Sequence, residues 1–163
     1  MIPVKQTASL RLCMGASFHT EEDINFVSVL PYYACRFCRV GSPEDLALAF
    51  HFVFEGAVHT YTDPETGVGL GLIPMLRFDL ENRYVVPYLG LGVGPYYFSL
   101  DVPELGQAWN FLSQAEFGIR FNCVQHLGWH LSYRLQHVSN AGMSDRNSGV
   151  NSHLVLLGVS YSF

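Results

Sequence analysis

Apolar and polar residues alternate with period two along most of this chain, the pattern of strands with one apolar and one polar face. In the first segment Ala8, Leu10, Leu12, Met14 and Ala16 oppose Ser9, Arg11, Cys13 and Ser17. A second segment, about Ile24 to Ala34, is less regular and contains Pro31. The third sets Leu48, Phe50, Phe52, Phe54 and Val58 against Ala47, His51, Glu55 and His59, and ends in the turn-forming stretch TYTDPETG. In the fourth, Val68, Leu70, Leu72, Leu76 and Phe78 oppose Gly69, Gly71, Arg77 and Asp79. The fifth places Val85, Leu89, Leu91, Val93 and Tyr97 opposite Tyr88, Gly90, Gly92 and Gly94, and the sixth Phe111, Ala115, Phe117, Ile119 and Phe121 opposite Asn110, Gln114, Glu116 and Arg120. Trp129, Leu131, Tyr133 and Leu135 then face away from His130, Ser132, Arg134 and Gln136, and Val155, Leu157, Val159, Tyr161 and Phe163 from Gly158, Ser160 and Ser162. Eight segments of this kind predict an all-β fold, read as one domain over residues 1–163.

The polar faces decide which way such a sheet is folded. A soluble sandwich hides its apolar faces and shows water Lys, Glu and Thr. Here the polar faces carry Gly, Ser, Gln and Tyr, with charges of both signs at Arg11, Glu55, Arg77, Asp79, Glu116, Arg120 and Arg134. That is the filling of a narrow barrel interior, ion-paired and hydrogen-bonded, with the aliphatic and aromatic stripes turned out to lipid. Composition sharpens the point: 49% of the 163 residues are hydrophobic and only 14% charged, against about 25% charged in an average soluble domain. No run of 18 apolar residues exists to form a membrane helix, while VGLGLIPML (Val68–Leu76) is of the length a membrane strand needs. The expectation is an eight-stranded antiparallel transmembrane β-barrel of the outer-membrane type. A soluble, lipocalin-like carrier with the apolar faces inside is the competing arrangement, and solubility without detergent separates the two.

Other features add less. A net charge of −5 and a pI near 5.7 argue against a nucleic-acid partner. MIPVKQTASL lacks the n- and h-regions of a signal peptide, so a bacterial outer-membrane location implies a signal absent from this sequence. CRFC (Cys35–Cys38) has metal or redox spacing but no second CxxC; the four cysteines read as turn cysteines, some of them in disulfides, and no metal or other cofactor is expected. Alternate glycines in GLGVG suit a narrow lumen. His126 and His130 are expected on one inner strand face, and Tyr96, Tyr97 and Trp109 in an interfacial girdle. Pro31, Pro74 and Pro87 fit poorly, because proline withholds a ladder donor.

The seventh segment carries the candidate chemistry. Its apolar stripe runs on through two polar residues, His137 and Ser139, which share a face about 6.6 Å apart along a strand. If the last hairpin closes symmetrically about residue 144, Asn151 lies opposite His137 on the same outer face. A nucleophile, a base and an orienting group then meet on the lipid-facing wall.

QHVSNAG, followed by Asn147 and a terminal aromatic strand, resembles the signature of the lipid A 3-O-deacylase (PagL) family over about the last 30 residues. The resemblance implies an outer-membrane enzyme that removes the ester-linked 3-hydroxyacyl chain at position 3 of lipid A. In that reading Ser139 is the nucleophile and His137 the general base, while Asn140, Gly142 and Asn147 support the oxyanion. The family's acidic member would fall at Asn151, and an asparagine there can orient the imidazole but not stabilise imidazolium by charge. Asp145 is a carboxylate that would substitute for the acidic member, but it sits in the loop with no parity argument behind it. The implied partners are lipid A or lipopolysaccharide and the surrounding membrane lipids, with a homodimer left open. The second reading is a non-catalytic outer-membrane barrel, an anchor or structural protein whose site has decayed at Asn151.

Overall fold

A computed structural model describes residues 5–42, 46–82, 84–124 and 126–163. Eight antiparallel strands follow one another around a closed barrel: β1 (Gln6–Phe18), β2 (Asn25–Gly41), β3 (Ala47–Asp63), β4 (Gly67–Glu81), β5 (Val85–Phe98), β6 (Trp109–Val124), β7 (Leu127–Ser139) and β8 (Val150–Ser162). Closure is made by β1 against β8, in register from Thr7 with Ser162 to Phe18 with Asn151. Backbone bonds between Gln6 and Phe163 extend that seam.

The alternation fixes which face looks out. Leu12, Leu72, Phe117, Trp129, Leu131, Val155 and Leu157 all lie on the exterior. A belt of this composition facing outward on a closed sheet is an outer-membrane barrel, since closure alone satisfies every strand in hydrocarbon. Trp109 and Tyr97 meet edge to face on the outside, 5.5 Å between centroids, as girdle aromatics do. Tyr96 does not join them. It is 1% exposed and its hydroxyl bonds Tyr61 inside the barrel, because position 96 falls on the inward parity of β5.

The lumen is solid and divided by chemistry. In one part Arg134 binds Glu55 at 2.7 Å and also Glu116; Arg11 binds the same two carboxylates, and Gln114 donates to Glu55 at 2.9 Å. Beside it, Arg77 and Arg120 hold Asp79 at 2.8 and 3.2 Å. Buried charges must be paired to be tolerated, and here each carboxylate has two guanidinium partners. Toward the β7–β8 loop the interior is apolar instead: Phe26, Tyr61, Tyr96, Phe98, Leu105, Leu112, Val138 and Leu154 pack together.

Three further expectations change. Every cysteine is free, including Cys35 and Cys38, so no disulfide is formed. His126 lies exposed in the β6–β7 turn at φ 75, apart from the buried His130, because β7 begins only at Leu127. The prolines sit where a ladder is broken. The β4–β5 pairing runs Gly69–Gly71 and resumes at Met75, and the unpaired stretch holds Pro74 on one strand and Pro95 on the other. Pro31 falls in the corresponding gap between β2 and β3, and Pro87 lies beyond the last β4–β5 pair.

Candidate active site on the outer wall

His137 is two residues from the end of β7 and pairs with Asn151 of β8. Both side chains lie on the outer face, half-buried, and the imidazole Nδ1 donates to Asn151 Oδ1 at 2.9 Å. A carbonyl oxygen can only accept, so the bond fixes the proton on Nδ1 and leaves Nε2 as the basic nitrogen. Phe18 of β1 pairs with Asn151 from the other side. Asp145 is exposed in the loop and takes no part in it.

Ser139 follows on the same face, half-buried and paired with Phe111 of β6. Its hydroxyl has no hydrogen bond to the imidazole among the described residues. In unliganded hydrolases that bond is often long and tightens only with substrate.

The loop from 140 to 149 is built around one side chain. Asn140 is fully buried; its Nδ2 donates to Arg146 O at 2.7 Å and its Oδ1 accepts from the Gly142 amide at 3.0 Å. Its own amide donates to Asn147 Oδ1 at 2.8 Å. The Asn140 and Gly142 amides are therefore spent within the loop. With Oδ1 tied back, the Asn147 side chain keeps its Nδ2 donors, and Ala141 adds an amide turned by its left-handed backbone, φ 54.

A second loop clamps the first. Leu105 bridges to Asn147, and the Gly106 amide donates to Arg146 O at 3.1 Å. The buried Glu104 accepts the Gly149 amide on its main-chain oxygen at 3.3 Å and the Glu21 amide on its carboxylate at 2.7 Å. The surface pair Arg146–Asp101 adds little, being exposed.

One contributor was not evident from the sequence. Gly149, at φ +79, passes directly under the imidazole: a Cβ there would lie 2.5 Å from His137 Cε1 and 3.0 Å from Nε2. The ring stands where it does only because position 149 has no side chain. A glycine two residues before Asn151 was the sole hint, and it reads like any turn glycine.

From His137 a shallow groove of about 670 Å³ crosses the outer wall. Small residues, Ser113 and Ala115 on β6, form its floor; Leu135, Leu91, Val93, Pro74 and Leu76 form its sides, and Phe52 stands at the far end. Nearly all of this lining is apolar. The arrangement offers a base with a fixed tautomer, a neighbouring hydroxyl, two sources of unspent N–H donors, and an apolar channel open to lipid.

Among known proteins, the family profile described as lipid A 3-O-deacylase (PagL) matches residues 44–160. The barrel is similar to the crystal structure of the outer membrane enzyme PagL, with a TM-score of 0.66 and 16% identity, covering 92% of this chain and 97% of that one. It is more distantly similar to the N-terminal β-barrel domain of Pseudomonas aeruginosa OprF, with a TM-score of 0.49 and 12% identity over 95% of this chain and 97% of that one. No curated protein matches the sequence. With the family profile covering most of its length, the chain belongs to the lipid A 3-O-deacylase (PagL) family.

Proposed function

We propose that this protein is a serine esterase of the outer membrane, hydrolysing the ester-linked 3-hydroxyacyl chain at position 3 of lipid A. The observation that carries the reading is the His137–Asn151 hydrogen bond at the mouth of an apolar groove on the lipid-facing wall. An oriented imidazole has no structural use there, whereas a substrate embedded in the outer leaflet meets the barrel only from that side.

The steps follow from the groups present. Ser139 Oγ attacks the ester carbonyl carbon as its proton passes to His137 Nε2. The tetrahedral oxyanion accepts hydrogen bonds from the Ala141 amide and Asn147 Nδ2, the donors that the loop leaves unspent. The carbon–oxygen bond to the sugar breaks, and imidazolium returns its proton to the departing sugar oxygen. Water, deprotonated by His137, then attacks the acyl-serine; the fatty acid leaves and Ser139 recovers its proton. Asn151 holds the ring by accepting Nδ1–H, as asparagine does in Cys-His-Asn hydrolases.

The second reading, a non-catalytic barrel, is favoured by a single feature, the amide at Asn151 where the family signature leads one to expect a carboxylate. Refolded barrel incubated with lipid A separates the two. Mass spectrometry is expected to show loss of one hydroxyacyl chain, abolished in Ser139→Ala. No loss with the wild-type protein, or equal loss with Ser139→Ala, sinks the enzymatic reading.

A further inference from the structure

We infer that Ser113 is a specificity-determining residue of the groove, and that it reads a hydroxyl group carried on the scissile acyl chain close to its carbonyl. The inference rests on the esterase reading above and adds to it the residue that selects the chain.

Ser113 is out of character with its surroundings. The outward side chains along the groove are Leu135, Ala115, Leu91, Val93, Pro74 and Leu76, all apolar. Gln114 and Gln136 also line it, but their side chains point into the lumen, where Gln136 Nε2 donates to Gln114 Oε1 at 3.1 Å and Gln114 to Glu55. His137 and Asn151 are bonded to each other. Among the described residues, Ser113 is the groove's one outward polar side chain with no hydrogen-bond partner in the protein.

The register places this hydroxyl relative to the reacting bond. Ser113 pairs directly with His137 and lies diagonal to Ser139, whose own partner is Phe111. Directly paired Cβ atoms are about 5 Å apart, and diagonal neighbours roughly 7–8 Å. An acyl carbon bonded to Ser139 Oγ, with its chain entering the groove, therefore carries its first few carbons over Ser113. Carbons farther along meet only Val93 and Leu91 of β5 and then Pro74 and Leu76 of β4. A hydroxyl near the carbonyl finds a partner at Ser113; one in the distal half of the chain finds none.

A plain chain lying in the same path strips water from Ser113 Oγ and returns nothing. That asymmetry makes sites built to bond a substrate hydroxyl discriminate against analogues that lack it, here by roughly 10- to 100-fold in kcat/KM.

The test uses full-length refolded barrel and three detergent-solubilised glucosamine esters of one chain length: unsubstituted, hydroxylated two carbons beyond the carbonyl, and hydroxylated near the methyl end. Wild-type protein is expected to prefer the proximal hydroxyl over both others. Ser113→Ala brings the three kcat/KM values to within about 3-fold of one another, and Ser113→Thr, which keeps the hydroxyl, restores the preference. Heat-modifiable gel migration verifies that each variant is a folded barrel. No preference in the wild type, an unchanged preference in Ser113→Ala, or an equal preference for the distal hydroxyl overturns the inference. If the wild type cleaves none of the three esters and does not deacylate lipid A, the esterase reading falls and takes this one with it.

Discussion

Replacing Gly149 by alanine puts the geometry of the site to its most direct test, because the substitution adds one methyl group and removes no reacting group. The new Cβ would stand 2.5 Å from His137 Cε1 and 3.1 Å from Val138 O. Carbon atoms in contact prefer about 3.5–4.0 Å, so roughly 1 Å must be found. Val138 belongs to the β7 ladder and does not yield; the imidazole does, by turning about its side-chain torsions. A turn of that size pulls Nδ1 from Asn151 Oδ1, now 2.9 Å away, and swings Nε2 out of the orientation that bond gives it. Errors near 1 Å in catalytic geometry cost about 100-fold in rate. The expected result is therefore a fall in kcat of about 100-fold with KM little changed, because the groove is untouched. Alanine at φ +79 also strains the backbone by about 1–2 kcal/mol, and Gly149→Asn separates the two effects. Asparagine tolerates the left-handed region but carries the same Cβ, so it should be as impaired as alanine. The assay is release of hydroxyacid from lipid A at a series of substrate concentrations, with kcat and KM resolved. Activity in Gly149→Ala within 3-fold of wild type, or recovery in Gly149→Asn, would refute the reasoning.

Asn151→Glu supplies a charge beside imidazolium at the moment it forms and is expected to raise kcat by about 10-fold or more, measured in the same assay. Asn151→Leu removes the acceptor and lowers it. Glu55→Ala leaves Arg134 and Arg11 sharing one carboxylate, Glu116, in the lumen; truncating a buried pair costs about 3–5 kcal/mol, visible as a lower midpoint in urea unfolding from lipid vesicles. Leu157→Arg introduces a charge among the exterior residues of β8, 61% exposed, and should cost about 2–4 kcal/mol in vesicles if that position lies at the bilayer midplane. Ser160, inside the barrel on the same strand, bonds His130 at 2.8 Å, and Ser160→Ala should change vesicle insertion little.

How much of this was legible depends on what each residue answers to. The outward stripes and the inward charges follow the two-residue period because the lumen is too narrow to hold anything but side chains, so parity alone assigned Arg11, Glu55 and Arg134 to the interior. The His137–Asn151 pairing was legible for the same reason, since a symmetric hairpin about residue 144 leaves no other partner. Parity reads less plainly where both faces are apolar. Leu112, Val138 and Leu154 point into an apolar upper core, which blurs the alternation near the site; Tyr96, by contrast, keeps the inward parity of β5 and was misassigned by its residue type. Boundaries fail for a different reason: a single turn residue decides whether His126 lies in a strand or outside it. Ser113 was invisible because its importance lies in what stands opposite it across a strand pair, and Gly149 because it lies in the loop before β8 against the His137 ring; composition along one segment carries no trace of either.

The seam between β1 and β8 also dictates an order of events. Asn151 is flanked by His137 on β7 and by Phe18 on β1, so the pocket around it joins the second-last strand, the last, and the first. The Phe18–Asn151 pairing spans nearly the whole chain, and so distant a contact completes the site only when the ends of the sheet meet. An unclosed barrel lacks one wall of the site, whatever hairpins it has already made. On the esterase reading proposed above, hydrolytic competence would arrive together with the finished cylinder, and a chain stalled before closure would carry Ser139 and His137 without the completed site.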